Sequence, residues 1–194
     1  MDNQQQIRTF IAIEISDEVR EALGSLIAEM EQSSGNVKWV KPSSIHLTLK
    51  FLGNITESQV EQVTASVRAS ADSAGKFSLF TGEKGAFPSL NRPRVFWVGL
   101  NEKGNSKLLP LQKRIENELE KIGFAAERRR FSPHLTIGRV RTPQNIEAVS
   151  EKFMAYPLPE REFSVNRIVI MKSDLTPRGA IYTVQRTIEL SDDE

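Results

Sequence analysis

His46-Leu47-Thr48-Leu49 and His134-Leu135-Thr136-Ile137 are two copies of one motif, and they hold both histidines of the 194-residue chain. In a β-strand, residues two apart point to the same face. His46 and Thr48 are therefore expected on one face, with Leu47, Leu49 and Phe51 on the other. His134 and Thr136 likewise share a face, opposite Leu135 and Ile137. The apolar residues would anchor each strand to a core, and the polar pairs would face away from it.

The pattern around the two copies repeats. The alternation Ile7, Ile11, Ile13, Ile15 predicts a first strand. Ser16 caps a helix from Asp17 to about Gln32, whose apolar face is Val19, Leu23, Leu26, Ile27 and Met30. Ser33-Ser34-Gly35-Asn36 ends it. Val37–Val40 and Ile45–Leu52 read as extended, and Gly53-Asn54 as a turn. Thr56-Glu57-Ser58-Gln59 matches a capping box, opening a helix that buries Val60, Val63, Val67 and Ala71. Phe77–Phe87 reads as a strand with a glycine irregularity at Gly82 or Gly85.

The second half runs the same way. Arg94–Leu100 is an apolar strand. Leu108, Leu111, Ile115, Leu119 and Ile122 define a helix ended by Gly123. Phe131–Val140 is the second motif strand, and Pro143 opens a helix carrying Ile146, Val149 and Phe153. Strands over about Glu162–Met171 and Ala180–Ile188 close the chain, followed by an acidic tail at Ser191-Asp192-Asp193-Glu194.

Aligning His46 with His134 makes each half strand, helix, histidine strand, helix, strand. It pairs the strand at Phe77 with that at Phe163, and the strand at Val95 with that at Ile181. The expected fold is α+β and bilobal, a pseudo-two-fold duplication. Antiparallel sheets would line a central cleft, with helices packed outside. The expected organisation is one domain of two intertwined lobes, approximately 1–92 plus 178–190, and 93–177. The final strand would return to the first lobe.

The formal net charge is only +1, but the charge is unevenly placed. The window 38–50 holds Lys38, Lys41 and Lys50 and no acid. The window 128–141 holds Arg128, Arg129, Arg130, Arg139 and Arg141 and no acid. The rest of the chain is net acidic, so the cations gather around the motifs. That distribution suits a phosphate or a short nucleic acid. With no cysteine, disulfides and thiolate metal sites are excluded. No apolar run approaches the roughly 20 residues that span a bilayer, and no secretory leader opens the chain. A cytoplasmic monomer without a membrane partner is expected.

Imidazole is the side chain that holds or releases a proton near neutral pH without perturbation. Cleaving a phosphodiester requires removing a proton from the attacking oxygen and supplying one to the leaving oxygen. Two imidazoles in opposite protonation states do both. Threonine hydroxyls can donate to the non-bridging phosphate oxygens, and arginine or lysine can neutralise them. A histidine in a strand is often structural, and two could be half of a metal site. Neither motif window contains a third metal ligand, so no metal and no cofactor are expected.

These residues resemble the 2H phosphoesterase superfamily and, within it, the RNA 2′,3′-cyclic phosphodiesterases, also called 2′-5′ RNA ligases. The likeness spans nearly the whole chain. It includes Arg8-Thr9-Phe10-Ile11-Ala12, Trp39-Val40, His46 to Gly53, Pro93-Arg94-Val95, Pro133 to Arg139, and Ser173 to Tyr182. The resemblance implies metal-independent hydrolysis of an RNA terminal 2′,3′-cyclic phosphate to a 2′-phosphomonoester, with reversible 2′-5′ joining of RNA ends in some relatives. The partner would be RNA with such an end, tRNA fragments among them.

Carried over by motif, His134 would activate water and His46 would protonate the departing O3′, with the opposite polarity left open. Thr48 and Thr136 would hold phosphate oxygens. Arg139 would contact the phosphate, although simple alternation places it with Leu135 and Ile137. Phe10 is a candidate for base stacking, with a core role open. Trp39 and Lys50 lie near the site without an assigned role. Two other readings stay open. One is a non-enzymatic RNA- or nucleotide-binding protein. The other is a related phosphodiesterase for 2′-5′ oligoadenylate or small cyclic nucleotides.

Overall fold

The computed structural model describes residues 6–33, 36–177 and 179–192. Ser34, Gly35, Arg178 and the terminal Asp193-Glu194, named above, lie outside these residues. The strands are β1 (Ile7–Glu14), β2 (Val37–Trp39), β3 (His46–Ile55), β4 (Phe77–Phe87), β5 (Val95–Asn101), β6 (His134–Val140), β7 (Glu162–Val165), β8 (Arg167–Thr176) and β9 (Gly179–Glu189). The helices are α1 (Asp17–Glu31), α2 (Glu57–Ala71), α3 (Leu108–Lys121) and α4 (Ile146–Ala155).

The helices form where apolar spacing and caps demand them. Ser16 accepts from the backbone of Val19 at the start of α1. Thr56 and Gln59 complete the reciprocal capping box of α2, a device worth about 1 kcal/mol at the cap residue. Every apolar residue predicted for the first two helix faces is buried. In α3 the exception is Ile122, which caps the helix and is exposed. The fourth helix starts at Ile146 rather than Pro143, after Asn145 in a left-handed conformation. Lys84 of β4 donates to the carbonyls of Phe153, Met154 and Tyr156 at its C-terminal end, where a cation is favoured.

The fold is α+β, with one curled antiparallel sheet. Its strand order is β7-β4-β5-β6-β3-β1-β8-β9, and β2 adds to β6. The expected sheets of two lobes are thus continuous, joined where β3 meets β6 at Leu47↔Leu135. Counting outward from that junction, β3 matches β6, β1 matches β5, β4 matches β8 and β7 matches β9. The repeat is therefore real in the sheet, but two of its matches differ from the sequence alignment. The strand at Phe77 corresponds to β8, not to the strand at Phe163. The strand at Val95 corresponds to β1 alone. Strands are also traded: β4 leaves its own half to pair with β5 and β7, and β8 pairs with β1.

The predicted strand Glu162–Met171 is two strands, broken at Asn166. Residues before the break pair with β4 and residues after it pair with β1 and β9. The two strands, β7 and β8, lie six inter-strand steps apart in the sheet order, about 28 Å if the sheet were flat. One residue bridges only a few ångströms, so the sheet has to curl until its ends approach. The backbone N–H of Lys76, beside β4, bonds the carbonyl of Ser191, just past β9, at 3.0 Å.

The convex face carries the main core. One cluster runs from Ile11 and Leu47 through all four helices to Ile188 and Leu190. A second, smaller cluster lies on the concave face: Phe10, Ala12, Val169 and Met171, with Tyr182 packed against it.

Candidate active site

Both histidines sit on the concave face, on neighbouring strands. Antiparallel pairing at Leu47↔Leu135 places Thr48 opposite His134 and Thr136 opposite His46. The histidines are then diagonal neighbours, with backbones about 7–8 Å apart. They stand side by side at the centre of one curled sheet, rather than on separate sheets facing each other. The four polar side chains are half-buried, consistent with a face open to a ligand.

Each ring is fixed the same way. His46 Nδ1 lies 2.9 Å from the Ser44 carbonyl, and His134 Nδ1 lies 2.7 Å from the Ser132 carbonyl. A carbonyl oxygen only accepts, so each Nδ1 carries the hydrogen. In the neutral rings Nε2 is consequently the bare, basic nitrogen. The sequence carries a local signal for these partners: serine stands two residues before histidine in both copies.

The aromatic surroundings differ. His46 stacks on Phe10 (centroids 4.7 Å apart) and meets the edge of Tyr182 at 5.0 Å. His134 meets Phe87 edge-on at 5.0 Å. Burial lowers the pKa of His46 from its ordinary value, while the bond to Ser44 opposes that shift.

Both motif strands carry a bulge at the fourth motif residue, and this changes which side chains reach the site. In β3, Thr48 pairs with Ala12 and Lys50 with Ile11, leaving Leu49 extra. In β6, Thr136 pairs with Trp97 and Gly138 with Phe96, leaving Ile137 extra. An extra residue makes two successive side chains point the same way and inverts the alternation beyond it. Lys50 and Gly138 therefore join the convex core side. Phe51 and Arg139 turn to the concave face.

The bulges change the expected faces of Phe51 and Arg139 and give Lys50 its place. Phe51 does not share the face of Leu47; it is exposed, and its ring lies 5.7 Å from Phe10. Lys50, expected near the site without an assigned role, is buried against Glu116 of α3, 2.6 Å away. Arg139 does share the face of His134, so the parity objection to it disappears. Lys38 pairs with Arg139 across β2 and β6 and adds a second cation to that face.

Phe10 is placed differently from a base-stacking platform. It is 1% exposed, its surface covered by His46, Phe51, Tyr182 and Met171. No free ring face is left for a nucleobase; Phe10 packs His46 instead. Trp39 stacks on Phe96 in the core, over Gly138, where a Cβ would stand 2.6 Å from the indole. Glycine is thus required where β2 covers the second bulge.

Two imidazoles, two hydroxyls and two cations share one face of a curled antiparallel sheet on an α+β scaffold. The profile of the 2′-5′ RNA ligase superfamily matches residues 14–177, and the chain belongs to that family. It is 34% identical over 179 residues to an RNA 2′,3′-cyclic phosphodiesterase of Thermotoga maritima, covering 92% of each chain. It is 33% identical to a protein of the same name from Archaeoglobus fulgidus, covering 94% of this chain and all of that one. Among solved structures, a Thermus thermophilus protein superposes with a TM-score of 0.79 at 25% identity, over 96% of this chain and all of that one. The E. coli LigT structure complexed with 3′-AMP superposes with a TM-score of 0.76 at 21% identity, over 96% and 99%.

Proposed function

We propose that this chain hydrolyses the terminal 2′,3′-cyclic phosphate of RNA to a 2′-phosphomonoester. His134 Nε2 takes a proton from water as the water oxygen attacks phosphorus. The P–O3′ bond breaks, and His46 Nε2–H delivers a proton to O3′. Each cycle ends with His134 protonated and His46 neutral, and exchange with solvent resets both. The observation that carries this reading is the matched anchoring of both Nδ1 atoms, which leaves two Nε2 atoms for one substrate. The names of the relatives support the RNA substrate, and the complex of LigT with 3′-AMP supports nucleotide binding on this fold.

Burial disfavours the imidazolium form of His46 in the free protein. A cyclic phosphodiester brings one negative charge, and an adjacent opposite charge favours the protonated ring. The substrate thus helps to load its own acid. Thr48 and Thr136 donate to the non-bridging oxygens, and Arg139 offsets their charge. No metal or cofactor enters the scheme; attack on phosphorus by an RNA 5′-hydroxyl in place of water, with the same P–O3′ bond breaking and the same proton delivered to O3′, would give a 2′-5′ linkage.

The test is incubation with an oligoribonucleotide ending in 2′,3′-cyclic phosphate, with and without EDTA. The expected result is a 2′-phosphate end at an unchanged rate in chelator. Turnover of 2′-5′ oligoadenylate or small cyclic nucleotides alone would replace the substrate. Binding without turnover would make this a non-enzymatic RNA-binding protein.

A second prediction concerns Arg139. Removing a charge-assisted hydrogen bond costs about 1.5–3 kcal/mol. Arg139→Ala should therefore lower kcat/KM roughly ten- to a hundredfold, with Arg139→Lys recovering part of the loss. Unchanged kcat/KM in steady-state assays of Arg139→Ala would remove Arg139 from the phosphate site.

A further inference from the structure

The two bulges that shape the site are held by different means. A bulged residue leaves the ladder locally disrupted, and a buried carbonyl still needs a donor. In β6 the carbonyl of Ile137 accepts from the backbone of Val40, at 2.8 Å, just beyond β2. Beside β3 the donor comes from a helix instead. Gln112 Nε2 of α3 lies 3.4 Å from the carbonyl of Leu49 and 3.1 Å from Glu116 Oε1. Lys50, the residue after the bulge, donates to Glu116 Oε2 at 2.6 Å and to the Ala125 carbonyl at 2.8 Å. Glu116 Oε2 also accepts from the backbone of Glu127 at 3.2 Å. Gln112, Glu116 and Lys50 are all buried.

This network does two things at once. It holds the extra residue of β3, with His46 and Thr48 immediately before it. It also ties down the segment Ala125–Glu127, from which the chain runs through Arg128–Arg130 to Ser132 and His134. We infer that Gln112, Lys50 and Glu116 are positioning residues for the His46 half of the site. They act through the Leu49 bulge and link it to the approach of the second motif. The inference rests on the proposed reaction for its kinetic readout. The His134 half has a backbone donor in the same role, so side-chain changes in α3 reach only one half directly.

The test uses Gln112→Leu, and the double variant Lys50→Met with Glu116→Gln, which removes both charges together. Assayed well below their melting temperatures, both should lose roughly ten- to fiftyfold in kcat, because small displacements of a reacting group cost that much. KM should stay within about threefold, since the cations of the face are untouched. The chain has two histidines, so the imidazole Cε1–H region of its NMR spectrum holds two signals to follow. The His46 signal and its titration midpoint should move in both variants, while those of His134 stay in Gln112→Leu, which leaves the bonds to Ala125 and Glu127 in place. A kcat within about twofold of wild type overturns the inference. So does a fall in kcat with the His46 signal unmoved, because the loss would then arise elsewhere. An inactive wild-type protein would refute the proposed reaction instead, and the NMR comparison would still decide the positioning role.

Discussion

His46→Asn and His134→Asn should each lower kcat by about 10²–10⁴, the usual contribution of general acid–base catalysis. Asparagine is the informative choice. Its amide N–H₂ can still donate to Ser44 or Ser132, where each Nδ1 is now bonded, so the local backbone keeps its partner. What is lost is Nε2. The double variant should be little worse than either single one, because two groups that work in the same step are not additive. A single-turnover assay on a cyclic-phosphate RNA measures this directly. Either asparagine variant retaining a tenth of wild-type kcat would refute the paired mechanism.

The pH dependence should carry the same assignment. Burial holds the pKa of His46 below the ordinary imidazole value in the free protein. If His46 is the acid, kcat/KM requires it protonated and falls as pH rises through that lowered value. In the complex the bound anion favours the proton, so the alkaline limb of kcat should be displaced to higher pH. The His46→Asn variant should lose that limb and keep the acid one. Loss of the acid limb instead would exchange the two roles.

How far this site could be read from the sequence depends on which residues set each feature. The motif pair was legible because it concerns neighbours along one strand. The helix faces were legible because helical spacing is local, and the buried positions of α1 and α2 follow it residue by residue. The bulges were not. Lys50 and Phe51 read as alternation continued, and only the register against β1 shows that Leu49 is extra. Phe10 looked available for a base because its cover, Met171 and Tyr182, arrives from the C-terminal hairpin. The break at Asn166 lay between the two cases. The apolar residues change parity there, from Phe163 and Val165 to Ile168 and Ile170, so a local signal existed. That the halves then go to opposite ends of the sheet order is a property of the whole fold.

Lys50→Met alone should be the most destabilising of the changes considered, by about 3–5 kcal/mol, the cost of breaking a buried ion pair by removing one partner. The side chains of Lys50 and Glu116 are 6% and 7% exposed, so solvent screening does little for either. Methionine fills much of the lysine's volume, so the penalty arises chiefly from the carboxylate left behind. Glu116 would keep the bonds from Gln112 and the backbone of Glu127 but lose its countercharge. For a chain of this length the loss corresponds to about 6–20 °C in melting temperature. Adding Glu116→Gln should return most of it, because a neutral amide no longer needs a buried cation. Thermal melts of the wild type, the single and the double variant form the test. A single variant within about 1 kcal/mol of wild type would mean that water reaches the pair. The same comparison separates two roles of one network. Neutralising the pair repairs the stability lost to an unpaired charge, but it cannot restore the lysine's donation to Ala125 or its grip on the strand beside His46. Recovery of the melting temperature without recovery of kcat is therefore the pattern expected when the same residues support both fold and site.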